Sequence, residues 1–200
     1  MDKSNRIISG ALNIFLSKGV KNVNMDDISI SLGISKKTLY RYVTNKGDLI
    51  EKAFRLHQNE ILNTINTIQD KKENAIDELF DIDEQVCLFL KKRPPRLLSN
   101  LKKYYPLVWA ILDNIKKESL FLCISQNIKN GKEQFVYRED VNEDIIAKLL
   151  INTADALLDE ELFPLTQYNF KLLLLENRIY HIRGIATKKG ITYLENKLKK

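Results

Sequence analysis

Four basic residues and no acidic residue lie between positions 36 and 46 of the sequence. In a helix of about 3.6 residues per turn, Lys37 and Arg41 share one face, and Thr38 and Tyr40 flank it. Cations and hydroxyls can hold phosphate groups, and Lys or Arg can donate to the acceptor atoms of guanine in the major groove. A basic cluster is more often only a solvated surface, so its surroundings must decide between the two interpretations.

The elements around this segment predict a helix-turn-helix. Asn24 can cap a short helix that Gly33 ends, and Ser35 can cap a second short helix over residues 36–43. Two short helices separated by a glycine-containing turn are the layout of a helix-turn-helix. This context favours the second helix as a recognition helix whose outer face contacts DNA.

A helix over residues 4–18 precedes this pair, and a long helix over about 46–69 follows it. At about 24 residues, the long helix would span roughly 36 Å and link the N-terminal module to the rest of the chain. We predict a boundary near Asp70, between an N-terminal domain over 1–50 and a second domain over 70–200.

The composition predicts a helical protein. The chain has 200 residues with four prolines and seven glycines, which are few for an all-β sandwich. Its net charge of +6 includes +4 from the first 50 residues, where eight Lys or Arg oppose four Asp or Glu. Two cysteines provide no disulfide framework, and no stretch approaches the ~20 apolar residues of a membrane helix. We therefore predict an all-α cytoplasmic protein of about nine helices, without a membrane partner.

Beyond residue 70, caps, prolines and apolar periodicity predict five further helices. A turn at Asn130–Gly131 and a loop over 131–141 are expected between two of them, and a basic tail ends the chain. The five helices are predicted over about 74–93, a short stretch ending near 104, 106–129, 142–157 and 166–187.

Patterns for catalysis and metal binding are missing from the sequence. His57 and His181 are isolated, and Cys87 and Cys123 lie 36 residues apart without a Cys-x-x-Cys pair. No nucleophile elbow, Walker loop or dinucleotide-binding fingerprint is present. We predict that the protein is not an enzyme and uses no metal ion or cofactor.

Residues 19–50 resemble the N-terminal domain of the tetracycline-repressor (TetR/AcrR) transcriptional regulators. The shared features are a helix ending in glycine, an Ile-x-x-x-x-Gly-Ile-Ser turn, Thr-Leu-Tyr on the recognition helix, an aromatic pair and Asn-Lys-x-x-Leu. Val43 stands where the family usually has Phe, and Ser29 where it usually has Ala; both lie on the packing side. The resemblance implies that the DNA-contacting residues are Lys36, Lys37, Thr38, Tyr40, Arg41 and, on a phosphate, Lys46.

The C-terminal domain carries two weaker family features. These are the Gly131…Phe135…Asp140 loop, with Gln134 where Gly is common, and the closing Arg183-Gly184-Ile185-Ala186-Thr187. The resemblance implies an all-α regulatory domain and a homodimer formed by the last two long helices. The run of apolar residues Leu172–Leu175 is consistent with this dimer, because a helix that is apolar on several faces must be buried on several faces. Burial of all these faces within one chain is the alternative. The predicted dimer contacts are Leu149, Leu157, Leu172, Leu174, Leu175 and Ile179.

The family usually binds a small effector inside this domain. Aromatic side chains of the middle helices can line an apolar pocket, although aromatic residues at helical spacing are more often simply core. Tyr104, Tyr105 and Trp109 also flank Pro106, so packing at a helix junction is an alternative for them. The predicted pocket residues are Phe89, Tyr104, Tyr105, Trp109, Phe121 and Cys123.

These features together predict a dimeric repressor that binds a pseudo-palindromic double-stranded DNA operator and is released by a small-molecule effector. The alternative is an all-α carrier for an apolar small molecule, with an N-terminal module that no longer binds DNA. The unbroken basic content of residues 36–46 argues against the carrier.

Overall fold

A computed structural model describes residues 2–71, 74–91, 97–159, 161–164 and 166–199, apart from the side chains of residues 86, 89–91, 116 and 155. Over these residues the chain is helical, and its only extended pairing is one bridge between Tyr137 and Ala186. The prediction of an all-α fold is confirmed. The α-helices in the described residues are α1 (Lys3–Lys18), α2 (Met25–Ser31), α3 (Lys36–Leu39), α4 (Lys46–Asp70), α5 (Ala75–Lys91), α6 (Leu97–Tyr104), α7 (Pro106–Asn114), α8 (Phe121–Glu133), α9 (Glu143–Ala156), α10 (Phe170–Ile185) and α11 (Lys188–Leu198).

Local capping explains where the N-terminal helices begin. The side chain of Asn24 accepts hydrogen bonds from the backbone N–H groups of Asp26 at 2.8 Å and Asp27 at 2.9 Å. The Asp27 carboxylate accepts a bond from the Asn24 N–H at 2.8 Å, which completes a capping box. Ser35 caps α3 by accepting from the Thr38 N–H at 3.0 Å, as predicted.

The chain packs as two compact units. In the first unit, Leu97 of α6 and Val108 of α7 are buried in the same apolar core as Phe15 of α1. The packing therefore assigns α6 and α7 to the N-terminal helices, whereas the predicted boundary near residue 70 separated them. The first unit comprises Met1–Asn63 and Phe89–Ile115, and the second comprises Thr64–Leu88 and Lys116–Lys200.

Two segments that are distant in sequence meet in the second unit. The Arg138 N–H donates to the carbonyl of Ile185 at 2.9 Å, and the Thr187 N–H donates to the carbonyl of Val136 at 3.0 Å. The Arg138 guanidinium also donates to the carbonyl of Gly184 at 2.7 Å. These segments are the two C-terminal sequence features noted above, and the fold joins them.

The prediction of a turn at Asn130–Gly131 is wrong, because α8 continues to Glu133. Gly131 is buried in that helix, where an added Cβ would lie 2.0 Å from Cδ2 of Tyr137. The close approach of the Tyr137 ring, and not a turn, therefore requires glycine here. The chain leaves the helix two residues after Glu133, where Phe135 adopts a left-handed conformation with φ 59°.

Within the described residues, the structure has eleven α-helices where about nine were expected. A π-helical segment, Ile115–Leu120, divides the helix predicted over 106–129 into α7 and α8. The C-terminal residues form α11 rather than only a basic tail, because Thr187 caps it through the Gly190 N–H at 3.2 Å and Leu194 is fully buried. No helix in the described residues is long and apolar enough to span a membrane.

Candidate nucleic-acid interface

The predicted recognition helix is shorter than expected. It ends at Leu39 instead of Val43, because the Arg41 N–H donates to the carbonyl of Thr38 at 3.2 Å and the Tyr42 N–H to that of Leu39 at 3.0 Å. These bonds span three residues, so the chain tightens into turns after α3. Leu39 and Val43 are still buried, as the inner face of this segment requires.

The outer face of this segment presents the predicted polar side chains. Lys37 and Arg41 are exposed, and Tyr40 is 44% exposed. Thr38 is half-buried, and its hydroxyl lies 2.9 Å from the Ser35 hydroxyl that caps the helix. A hydroxyl can donate once and accept twice, so Thr38 keeps hydrogen-bonding capacity for a ligand.

Two lysines at the edge of this face have acidic neighbours on α2. The Lys36 ammonium lies 3.0 Å from the Asp26 carboxylate, and this hydrogen bond raises the pKa of Lys36. Lys46 begins α4 and is half-buried; burial lowers its pKa, against the attraction of Asp27. The carboxylates of Asp26 and Asp27 on α2 therefore partly neutralise the positive charge of residues 36–46. The count of charged residues within 36–46 alone did not show this.

Lys52 holds the turn between α3 and α4, and the sequence analysis missed it. Its ammonium donates to the carbonyl of Tyr42 at 2.8 Å and pairs with the Asp48 carboxylate at 3.0 Å. Asp48 also accepts from the Thr44 N–H at 2.8 Å, and this hydrogen bond and the Lys52 cation together keep its pKa low despite partial burial. The spacing of Asp48 and Lys52, four residues apart on one helix, was the available signal.

The predicted DNA-contacting residues all lie in the first unit, on α3, on the turn after it and at the start of α4. Among the described residues, Lys37 and Arg41 have no ion-pair partner. Exposed cations of this kind can neutralise phosphates, and a hydroxyl and a phenol beside them can bond phosphate oxygens or base edges. The arrangement is therefore suited to binding a nucleic acid.

The predicted pocket residues do not fall in one compact unit. Tyr104, Tyr105 and Trp109 belong to the first unit, and Phe121 and Cys123 to the second, while the side chain of Phe89 lies outside the described residues. The Tyr104 ring is 45% exposed, with the Lys21 ammonium 4.1 Å from its centroid. Burial raises the pKa of the Cys123 thiol to about 12, so this group is a protonated thiol at neutral pH. The pocket stays a prediction.

Several predicted dimer contacts are exposed in the single chain. Leu149 is 55% and Leu172 59% exposed, whereas Leu174 is buried within the protomer. The sequence analysis did not single out Ile145 and Tyr180, which are 53% and 80% exposed. The remaining three predicted contacts are half-buried, namely Leu157, Leu175 and Ile179.

Comparisons with known proteins match this N-terminal region and most of the chain. The profile described as bacterial regulatory proteins, tetR family, matches residues 7–53. The chain is 26% identical over 166 residues to the HTH-type transcriptional regulator YvaF of Bacillus subtilis (strain 168), covering 82% of this chain and 84% of that protein. It is 27% identical over 141 residues to IcaR of Staphylococcus aureus (strain Newman), the negative transcriptional regulator of the biofilm operon icaADBC, covering 65% of this chain and 74% of that protein.

A solved structure extends the similarity to the whole fold. A transcriptional regulator from Saccharomonospora viridis, in complex with choline, has a TM-score of 0.70 at 17% identity and covers 92% of this chain and 98% of that one. In the part of the chain that the structure describes, no group of three or more His, Cys, Asp or Glu is placed to hold a metal ion. The N-terminal match is to the tetR family, and the relatives along most of the chain are described as HTH-type transcriptional regulators and not as enzymes. The resemblance to the TetR/AcrR transcriptional regulators is therefore confirmed.

Proposed function

We propose that this regulator is a dimeric repressor that binds a pseudo-palindromic DNA operator and leaves it when a small-molecule effector binds. The observation that carries the proposal is the exposed basic face formed by Lys37, Tyr40 and Arg41. The description of IcaR as a negative regulator supports repression. Because a bacterial repressor acts where the chromosome lies, a cytoplasmic location is part of the same proposal.

Within this proposal, the residues have different roles. Lys37 and Thr38 lie on the outer side of α3 and contact bases, whereas Tyr40 and Lys46 contact phosphates. Arg41 adds an exposed cation beside them. Lys36 also faces DNA, but its ammonium forms an ion pair with Asp26, so Lys36 contributes less than Lys37 to the affinity for DNA.

Selection of bound DNA from a random pool by the intact protein tests the operator geometry. Two recognition helices related by a two-fold axis enter major grooves about 34–36 Å apart, or a multiple of that distance. We expect the enriched sequences to contain two inverted half-sites at this spacing. A carrier without DNA-binding activity would enrich no sequence and show no salt-linked binding, which would contradict the proposal.

Lys46→Ala tests the phosphate contact separately. This variant should weaken binding to all DNA sequences alike and lower the salt slope by about 0.9, because one phosphate contact is lost. Lys129→Ala removes an exposed lysine of α8, outside the proposed DNA and dimer surfaces, and serves as the control, with an unchanged slope. An unchanged slope in Lys46→Ala would remove Lys46 from the interface.

The dimer is proposed to form on the exposed apolar side chains of α9 and α10. Ile145 and Leu149 lie one turn apart on α9, and Leu172 and Tyr180 extend the apolar surface on α10. Large exposed apolar patches mark interaction sites more often than chance. Replacement of both Leu149 and Leu172 by Glu should give a folded monomer in sedimentation and loss of tight operator binding. A double variant that still sediments as a dimer would place the interface elsewhere.

The effector part of the proposal is supported by the choline complex of a regulator with a similar fold. A ligand shifts a conformational equilibrium only by its differential affinity for the two states. An effector that releases the operator must therefore bind less tightly when operator is present. Equal effector affinity with and without operator would contradict this mechanism.

A further inference from the structure

A buried ion pair joins α5 and α10 inside the second unit. The guanidinium of Arg178 donates to both carboxylate oxygens of Asp83, through Nε at 2.7 Å and through Nη2. Only 4% of the Arg178 side chain and 12% of the Asp83 side chain are exposed. The third guanidinium nitrogen, Nη1, is buried and has no hydrogen-bond partner among the described residues.

Two further side-chain nitrogens on α10 are buried without a hydrogen-bond partner in the described part of the chain. They are Nδ2 of Asn177 and Nε2 of His181. His181 lies three residues after Arg178 and four after Asn177, so one helical turn carries all three groups on neighbouring positions. Unpartnered buried polar groups are rare in folded proteins, and three in one turn require an explanation.

The charges around these three nitrogens cancel. Arg178 is balanced by Asp83, and burial, helped by the nearby Arg178 cation, lowers the pKa of His181 to about 3, so its imidazole is neutral at neutral pH. Burial also raises the pKa of Glu78, which favours its uncharged form. Tyr137, Glu78 and Arg178 are all buried in the second unit. An added anion would therefore be buried there without a free counter-charge, which is unfavourable.

We propose that Asn177, Arg178 and His181 form a binding site for an uncharged small molecule that has a carbonyl oxygen and an apolar body. The carbonyl oxygen accepts hydrogen bonds from Nδ2 of Asn177 and Nη1 of Arg178, and from Nε2 of His181 when the neutral imidazole carries its proton there. The apolar body packs against the buried apolar residues of the same helix face, Leu174 and Ile182. This site deepens the proposed function by naming the chemical class of the effector, and its link to DNA release rests on that function.

Entry to this site requires a change of conformation. The three nitrogens are closed off from solvent by the protomer's own atoms. The ligand therefore binds a second conformation in which α10 admits it. A ligand that binds one conformation and not the other has the differential affinity that an effector needs.

Titration of the intact wild-type protein without DNA tests the site. The probe is octanamide, which has an uncharged carbonyl group; octanoate and octylamine are the comparisons, with the same chain length and a negative or positive charge. We expect saturable octanamide binding in calorimetry, at least about tenfold tighter than for either charged probe. Absence of saturable octanamide binding, or tighter binding of octanoate, would overturn the proposal.

Variants test the assignment of the residues. Asn177→Leu and His181→Phe conserve size and remove a polar nitrogen, so each should weaken octanamide binding about tenfold. Glu176→Gln changes an exposed residue of the same helix and should leave binding unchanged. Equal binding by all three variants would overturn the site.

Nitrogen NMR of the wild-type protein tests the contacts without a substitution that can disturb folding. Octanamide should change the chemical shifts of the side-chain nitrogens of Asn177 and Arg178. Unchanged chemical shifts at a saturating concentration of octanamide would overturn the site. Operator release is measured separately. Octanamide binding that leaves the operator bound would contradict the proposed effector response and support the binding site.

Discussion

The two polar regions of this molecule are built in opposite ways. The candidate DNA-contacting surface takes its residues from one short segment, 36–46, and its cations at Lys37 and Arg41 point to solvent. The polar cluster of the second unit pairs Asp83 with Arg178, 95 residues away, in an interior that excludes solvent. Nearby residues position the first surface, through the Ser35 and Asn45 caps and the contact of Lys52 with the Tyr42 carbonyl, whereas the second cluster needs the core of its unit.

This difference determines what substitutions should do. An exposed cation contributes little to folding, because solvent screens it and replaces its contacts. A buried ion pair depends on both partners, since removal of one leaves an uncompensated charge in a low-dielectric interior. We therefore expect changes in the buried pair Asp83–Arg178 to alter the free energy of unfolding, and changes at the exposed cations Lys37 and Arg41 to alter DNA binding with little effect on folding.

The largest effect is expected for Arg178→Ala. It leaves the Asp83 carboxylate buried without its partner, so the free energy of unfolding should fall by about 3–5 kcal/mol in urea denaturation. The double variant Asp83→Leu with Arg178→Met should recover most of this loss, because it removes both charges. A loss of less than about 0.5 kcal/mol in Arg178→Ala would mean that the pair is not buried as described.

The pH dependence of stability isolates His181. The unfolded state binds a proton near the ordinary pKa of 6.5, but the folded state does not until about pH 3, so stability is lost as the pH falls through this interval. Between these two pH values, His181 lowers the free energy of unfolding by up to about 1.4 kcal/mol for each unit by which the pH falls. The wild type should therefore lose more stability than His181→Phe when both are unfolded in urea from neutral to acidic pH. Parallel curves would show that His181 is not held neutral by burial.

Gly131→Ala tests the packing of Tyr137 on α8. The new Cβ would lie 2.0 Å from the ring, so the free energy of unfolding should fall by about 1–3 kcal/mol. Gly184→Ala is the matched control, because no atom lies within 4 Å of the added Cβ and alanine favours a helix. Equal thermal stability of the two variants would contradict the close contact.

The smallest effect on folding is expected for Lys37→Ala. Because Lys37 is exposed, the free energy of unfolding should change by less than about 0.5 kcal/mol. Discrimination between the selected operator and random DNA should fall by about 1–3 kcal/mol in competition binding, since a base contact is lost. An unchanged sequence preference would require a different recognition surface.

Local sequence determined the N-terminal helices well. Asn24 and Ser35 were expected to cap helices, and each side chain accepts a backbone N–H three residues further along; Asn45 caps α4 in the same way. Such bonds depend only on nearby residues, so a single sequence reveals them. The length of α3 was less predictable, because the tightening after Leu39 also depends on Lys52 of α4.

Only the tertiary structure decided the contacts between distant residues. Helical periodicity shows which face of a helix is apolar, but not what covers that face. It therefore could not reveal that Asp26 pairs with Lys36, that Arg178 pairs with Asp83, or that the Tyr137 ring lies against Gly131. The sequence by itself determined the helical fold class, the helix-turn-helix and its basic outer face. The pairing of charges and the closed polar cluster on α10 followed only from packing, because they join residues whose separation in sequence carries no signal.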